Sequence, residues 1–525
     1  MFGHIIRLGA LVLPLMLLPL SAAAQDNSVV LESFDGSIRL TGELKDFNGS
    51  EYILTTAIGE VTIQVGDVRC EGAACPDLVS EETEFLISGS RGLATGLLPA
   101  LVDGYSFVVD ADLTMAAETD GIGAMTLADA DGVELASIQL ATGGSSSGMR
   151  DLAGGTASLA LTTRPAREAE VAAVAQAGFG DISSPPFENV LALDGLLVIT
   201  SRDNPVRALT EQNIARIFSG AITNWADVGG PNAPINLYAR GEDTGTGAVF
   251  FNLVMRGERV RVSQEARLMD SDAAVSDAVA SDPNGIGFTS FSNERNAKSL
   301  AIQGVCGIQT PPNSFTIKTE EYPLTRRLYV YRPDRPIPGI ATDFLAYLAS
   351  DDAQDVIAET GFVDQGISAL SANNMGLRFI SAVLPSDAES TLDQLQGMMR
   401  DLIAADRLSL TFRFETGSSV LDSRAQADIL RLAELIDEGE FANKEILLIG
   451  FTDSVGRADI NQTLSGQRAG QVRDALLAQV GASAAGGANI LTLGYGEMSP
   501  LGCNETANGR RINRRVEVWT RDIIQ

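Results

Sequence analysis

The chain has 525 residues, 45% hydrophobic and 20% charged, with a formal net charge of −30. That length is too great for one ordinary core and predicts roughly two to four globular domains, while the charge excludes nucleic acid and anionic membrane surfaces as partners. Any anion held by so acidic a protein must be held through short-range, desolvated hydrogen bonds.

Residues 1–24 carry Arg7, an apolar run from Leu8 to Leu20 and the small stretch Ser21-Ala22-Ala23-Ala24. This is the layout of a cleavable signal peptide, so the mature chain is expected to begin near Gln25, outside the cytoplasm. No later apolar run reaches the roughly 18 residues of a membrane helix. The sole histidine, His4, leaves with the signal. Histidine-based zinc sites and Ser-His or Cys-His catalysis therefore drop out; no cofactor is called for, and the reading is not an enzyme.

Residues 25–82 alternate polar and apolar in short runs broken by Asp35-Gly36 and Asn48-Gly49, which predicts a small all-β module. Cys70 and Cys75 lie close together in an exported chain and read as a local disulfide. Cys306 and Cys503 are far apart, and spacing leaves them bridged or free.

From 83 to 373, apolar strands alternate with helical segments, as in an α/β domain with a largely parallel sheet. Three strand-to-helix junctions carry Gly, Ser or Thr at the turn. The first strand, Glu84 to Ile87, runs into Ser88-Gly89-Ser90-Arg91-Gly92 and a helix from Leu93 to Tyr105. A second, Ala136 to Leu140, runs into GGSSSG (143–148). The third junction is RGEDTGTG (240–247), followed by Val249, Phe250, Phe251, Leu253 and Val254 at helix-face spacings. Such turns sit at the carboxyl ends of strands, where open α/β sheets bind ligands. At the third, Arg240 offers a planar fork, Gly245 and Gly247 allow close backbone approach, and Thr244 and Thr246 offer hydroxyl donors.

These junctions, with TTRP (162–165), IFSGAITNWADVGG (217–230), NGIGF (284–288) and YPLTRRLYVY (322–331), resemble the periplasmic phosphate-binding proteins of ABC uptake systems. The resemblance implies two hinged lobes that close on an anion, the first from 83–191 plus 322–373 and the second between. It also implies that Ser90, Gly92 and Leu93 form a first anion loop, Ser145 and Ser146 a second, and Arg240, Thr244, Gly245 and Thr246 a third. Thr163 followed by Arg164 stands where some members place an aspartate that accepts the proton of monohydrogen phosphate. Selectivity over sulfate is then expected to be weaker, unless Glu242 or Asp243 supplies the acceptor.

Residues 374–408 show a helical apolar period (Leu392, Leu395, Met398, Met399, Leu402) and are read as a helical linker. In 409–525, a strand, a helix from Ser423 to about Asp437 and a strand from Glu445 to Gly450 lead into GFTDSVGRADINQTLSGQRAGQVRDALL (450–477), then GYGEMSP (494–500) and NGRRINRRVEV (508–518). These resemble the peptidoglycan-binding domain of the OmpA-like family. Zwitterionic diaminopimelate would place its ammonium on Asp453 and its carboxylate on the fork of Arg468. The helix bearing Arg468 is expected to begin after Asn461, with neither charge deeply buried.

The expected fold is therefore multidomain: a small all-β module, a two-lobed α/β periplasmic-binding-protein domain and a C-terminal α/β OmpA-like domain. The expected function is a periplasmic receptor for inorganic phosphate or a similar oxyanion, tethered to peptidoglycan near the outer membrane, with an inner-membrane ABC transporter as a candidate partner. The alternative is a ligand-free structural or adhesion protein of the cell envelope.

Overall fold

The computed structural model describes residues 28–523, apart from 34–38, 48–50, 57–58, 65–67, 73, 76–78, 81–82, 120–121, 184, 243, 373–391, 415–420 and 482–488. The expected signal peptide and the Asp35-Gly36 and Asn48-Gly49 turns lie outside the described residues. No helix among those described is long and apolar enough to cross a membrane.

The chain divides into two compact units, Met1–Asp77 and Leu78–Gln525. The first holds a five-stranded antiparallel sheet in the order Gly59–Gln64, Glu51–Thr56, Arg39–Phe47, Ser28–Ser33, Val68–Glu71. Period-two alternation places Val29, Leu31, Tyr52 and Leu54 on its buried face. Cys70 and Cys75 are bonded, with Cα atoms 5.8 Å apart. The short strand Val79–Ser80 pairs with Ile337–Pro338 in the second unit, so the sheet module ends before residue 82.

Within the second unit, one long mixed sheet runs through both lobes. Its centre is the antiparallel pair Glu188–Thr200 and Thr325–Tyr331, paired from Glu188 opposite Tyr331 to Gly195 opposite Thr325 with a one-residue register shift between Val190 and Ala192. On one side, Glu84–Gly89 lies parallel to both Leu159–Thr162 and Glu134–Ala141. On the other, Asn236–Ala239 lies parallel to Gly285–Ser290. The antiparallel hairpin Asp112–Thr119 and Ile122–Ala128 makes the sheet less parallel than the sequence suggests. Two cores flank the crossing: Leu191, Ala192, Leu328 and Val330 pack with the first lobe, Leu193, Leu196, Tyr322 and Leu324 with the second. The chain thus crosses between lobes twice, at adjacent residues of two paired strands.

The C-terminal sheet has the order Ala369–Ser371, Asp406–Arg413, Arg515–Asp522, Lys444–Phe451, Asn489–Gly494. Along Lys444–Phe451, Ile446 and Leu448 face the helices Ser423–Asp437 and Ala458–Gln479, while Leu447, Ile449 and Phe451 face the opposite way. That second face is covered by Met398 and Leu402 of the helix Leu392–Leu402. The described part of the segment expected to be a linker, from 392 on, is therefore a packed layer of the C-terminal domain, and 374–391 lie outside the described residues. Its apolar stripe exists because the sheet buries both faces, and the sheet's edge strand begins as early as Ala369.

The two parts of this unit are joined covalently by a disulfide between Cys306 and Cys503, which resolves the pairing that spacing left open. Polar contacts reinforce it. Arg407 pairs with Glu321, Arg424 donates to Glu320 at 2.8 Å and Arg327 meets Asp422 at 2.8 Å. Burial pushes the Glu320 carboxyl up, but Arg327, Arg424 and Arg511 outweigh it and hold it well below the usual range.

Candidate functional site

Between the lobes lies a cleft of about 1310 Å³ on which all three Gly/Ser/Thr junctions open. On the first lobe, Gly89 has φ +148°, and a Cβ there would lie 2.1 Å from the Leu161 carbonyl oxygen, so only glycine fits. The close approach ties the junctions together: the Ser90 amide donates to Leu161 at 2.9 Å and the Gly144 amide to Gly89 at 2.7 Å. Ser90, Gly92, Leu93, Ser145 and Ser146 line the cleft. Ser145 Oγ accepts from the Thr163 amide at 3.2 Å and stands 3.5 Å from the Thr163 hydroxyl.

Arg164 also lines the cleft, but its charge is already answered. Both of its Nη groups donate to Glu170 at 2.7 Å, and Nη2 reaches Ser146 Oγ at 3.0 Å. Burial would raise Glu170, yet hydrogen bonds from Arg164 and the Arg167 backbone leave its carboxyl below the usual range. Arg164 thus orients Ser146 as well as facing the cleft.

On the second lobe, the strand Asn236–Ala239 delivers Arg240 to the cleft. A Cβ on Gly247 would lie 1.9 Å from the Gly241 carbonyl oxygen, which folds the loop back on itself. Thr244 caps the following helix, accepting from the Gly247 amide at 3.1 Å and donating to Gly241 O at 2.7 Å. Its hydroxyl is spent on the turn, not offered to a ligand. Gly245 lines the cleft with open space at its Cβ position.

Arg240 is oriented by two groups that the sequence did not single out. Its Nη1 donates to Met269 O, and its Nε lies 3.1 Å from Asp272 Oδ1. The other oxygen, Asp272 Oδ2, accepts from Thr246 Oγ1 at 2.8 Å. Asp272 opens the helix Asp272–Ala280 behind the cap Ser271, where an acid reads as an ordinary helix-start residue. Nothing in the chain's spacing ties it to Arg240. By contrast, Glu242 pairs at 2.7 Å with exposed Arg261 and is not among the cleft-lining residues, and Asp243 lies outside the described residues. The carboxylate facing the donors is therefore Asp272, not Glu242.

In the C-terminal domain, Asp453 and Arg468 are 8% and 6% exposed, more buried than expected. The helix bearing Arg468 begins at Ala458, three residues before Asn461. Asp453 Oδ2 accepts from Arg514 Nη1 at 2.8 Å and Oδ1 from the Val455 amide at 3.1 Å. Its charge is thus shared with an internal arginine, a partner present in the NRRVEV stretch but not singled out. Arg468 lies over the Phe414 ring, 5.2 Å from its centroid, and its Nη1 is buried without a hydrogen-bond partner among the described residues. Burial, with Arg514 nearby, pulls the Arg468 pKa down from its ordinary value. Such a guanidinium favours an incoming carboxylate.

The PBP superfamily domain model matches residues 114–352, and the OmpA family model matches residues 413–514. The chain joins a PBP superfamily domain to an OmpA family domain. The PBP superfamily part is 27% identical over 188 residues to "Phosphate-binding protein PstS" of Borreliella burgdorferi, spanning 35% of this chain and 67% of that one. It is also 27% identical over 231 residues to the protein of the same name from Bacillus subtilis, spanning 43% and 71%. The OmpA part is 39% identical over 111 residues to "Outer membrane porin F" of Pseudomonas aeruginosa, spanning 21% of this chain and 30% of that protein. Among solved structures, an ABC-type phosphate transport receptor from Vibrio cholerae aligns at 24% identity and a TM-score of 0.40, covering 53% of this chain and 99% of its own.

Proposed function

We propose that the PBP domain is a receptor for inorganic phosphate or a closely related oxyanion, and that the OmpA domain holds it to peptidoglycan in the cell envelope. The observation that carries the first part is Arg240, fixed by Met269 and by Asp272, which Thr246 in turn holds, on a cleft that also bears Ser90, Ser145 and Thr163. The named relatives support the choice of phosphate. Asp272 gives the site a means of selection. A dianion that retains a proton can donate it to this carboxylate, whereas sulfate meets a like charge. Delivery to an inner-membrane ABC transporter, or local scavenging, would follow capture.

Titration calorimetry of the full exported chain against phosphate, sulfate, arsenate and molybdate tests the reading. Binding of phosphate ahead of sulfate is expected. No heat with any oxyanion at millimolar concentration would overturn it in favour of a ligand-free envelope scaffold.

The second part rests on Asp453 and the unpartnered Nη1 of Arg468, which suit the ammonium and carboxylate of diaminopimelate. Because Arg514 already occupies one oxygen of Asp453, the ammonium would share that carboxylate with it.

A further inference from the structure

The same cleft runs on to a second group of cations, where the C-terminal domain meets the hinge. Arg327 of the hinge strand, Arg413 and Phe414 at the end of Asp406–Arg413, and Arg511 of the helix Ala507–Asn513 all line it. Glu320 is the carboxylate at their centre. Its hydrogen bonds go to Arg327 and Arg424, while Arg413 and Arg511 come no nearer than 3.7 Å each.

Neither makes an ion pair with another acid among the described residues, and Arg413 feels one, Glu321, from farther off. Arg413 gives its Nη groups to the carbonyls of Ile512 and Thr319, and its buried Nε has no hydrogen-bond partner. Arg511 donates to the neutral amide oxygen of Asn508 at 3.2 and 3.3 Å, and 39% of its side chain is exposed. Asp422 answers Arg327, and Asp428 answers Arg424 and Arg431. Within ion-pair distance, five guanidinium groups meet three carboxylates, Glu320, Asp422 and Asp428, while Glu321 and Asp351 act on Arg413 and Arg431 from farther off. Burial, with Arg511 beside it, pushes Arg413 down to about 9 against the opposing pull of Glu320 and Glu321.

A cleft end this rich in guanidinium groups, in a chain of net charge −30, favours an anion there. A single tetrahedral oxyanion at Arg240 fills only a small part of 1310 Å³. The remaining lining includes the hydroxyl and amide groups of Ser290, Ser292, Asn293 and Thr325, which can hydrogen-bond a run of phosphoryl oxygens.

We propose that this junction is a second anionic subsite, built jointly by the two domains, and that it extends the ligand class to condensed phosphate chains. One phosphoryl group would sit at Arg240 and a later one against Arg511 and Arg413. The inference rests on the reading of the cleft as a phosphate site.

Calorimetry of the full chain at constant ionic strength, with orthophosphate, pyrophosphate, tripolyphosphate and a longer linear chain, tests it. At the length that bridges the two ends, affinity should rise about tenfold or more over orthophosphate, since the second contact becomes intramolecular. Arg511→Ala should abolish that gain while leaving orthophosphate affinity within about twofold, and Arg511→Lys should keep part of it. A gain absent at every length, or one that survives Arg511→Ala, overturns the subsite while leaving the phosphate reading standing. Failure of orthophosphate itself to bind the unaltered protein instead overturns the reading beneath it.

Discussion

Arg240 concentrates the argument for an anion site at the level of single residues. Truncating it to alanine removes a charge-assisted fork and leaves Asp272 without its cation, so phosphate affinity should fall by about 2 to 4 kcal/mol. Thr246→Ala removes the hydroxyl that donates to Asp272 and so loosens the group that orients Arg240, and should cost about 1 kcal/mol. Asp272→Asn is the informative change, because it keeps the shape and removes the like charge that an unprotonated anion meets. The ratio of phosphate to sulfate affinity, read by calorimetry, should fall; an unchanged ratio would remove Asp272 from selection. In the OmpA domain, Asp453→Asn and Arg468→Ala should each release the protein from purified diaminopimelate-containing peptidoglycan in a pull-down. Retention of both variants on the wall would sink that assignment.

At the level of elements, the helix Leu392–Leu402 gives a direct test of where the C-terminal domain begins. Met398 is fully buried against the sheet face formed by Leu447, Ile449 and Trp519. Met398→Ala should therefore destabilise the domain by about 2 to 4 kcal/mol in denaturant unfolding, whereas a linker residue would tolerate it. The helix itself was legible in the sequence from its apolar period, but its partner was not. Periodicity reports that a stripe is covered, and the covering strand lies some fifty residues on in the chain, well beyond the roughly 11–18-residue window in which a pattern is read. The same limit explains the site. The glycine-rich junctions could be read because close backbone approach demands particular residues, as at Gly89 and Gly247. Asp272 and Arg514 could not, because an acid at a helix start and an arginine beside a strand are unremarkable until folding sets them against Arg240 and Asp453.

For the molecule as a whole, the junction between the PBP and OmpA domains is both ionic and covalent, and the two contributions separate by condition. Since the folded-state pKa of Glu320 lies below its unfolded value, its contribution to stability is complete above the ordinary glutamate range and fades as pH falls through that range toward the folded value. The difference in melting temperature between the unaltered protein and Glu320→Gln should thus be present near neutrality and shrink below about pH 4. A difference that grows on acidification would contradict the assigned direction. The disulfide should hold under both conditions. Replacing Cys306 and Cys503 together by serine should lower stability by about 2 to 5 kcal/mol and separate the unfolding of the two domains in scanning calorimetry.

The Cys306–Cys503 bond also makes the two halves of the cleft unequal in how they are held. Cys306 belongs to the second lobe, so that lobe is bolted to the domain proposed to grip the wall. In any closure about the strands Glu188–Thr200 and Thr325–Tyr331, the second lobe is the jaw that carries the covalent tie, while the first lobe meets the same domain through the hydrogen bond from Ser423 to Glu188. The loops at Ser90 and Ser145 could then approach Arg240 only by carrying or giving up that hydrogen bond, whereas Arg240 keeps its covalent link to the side proposed to bind the wall.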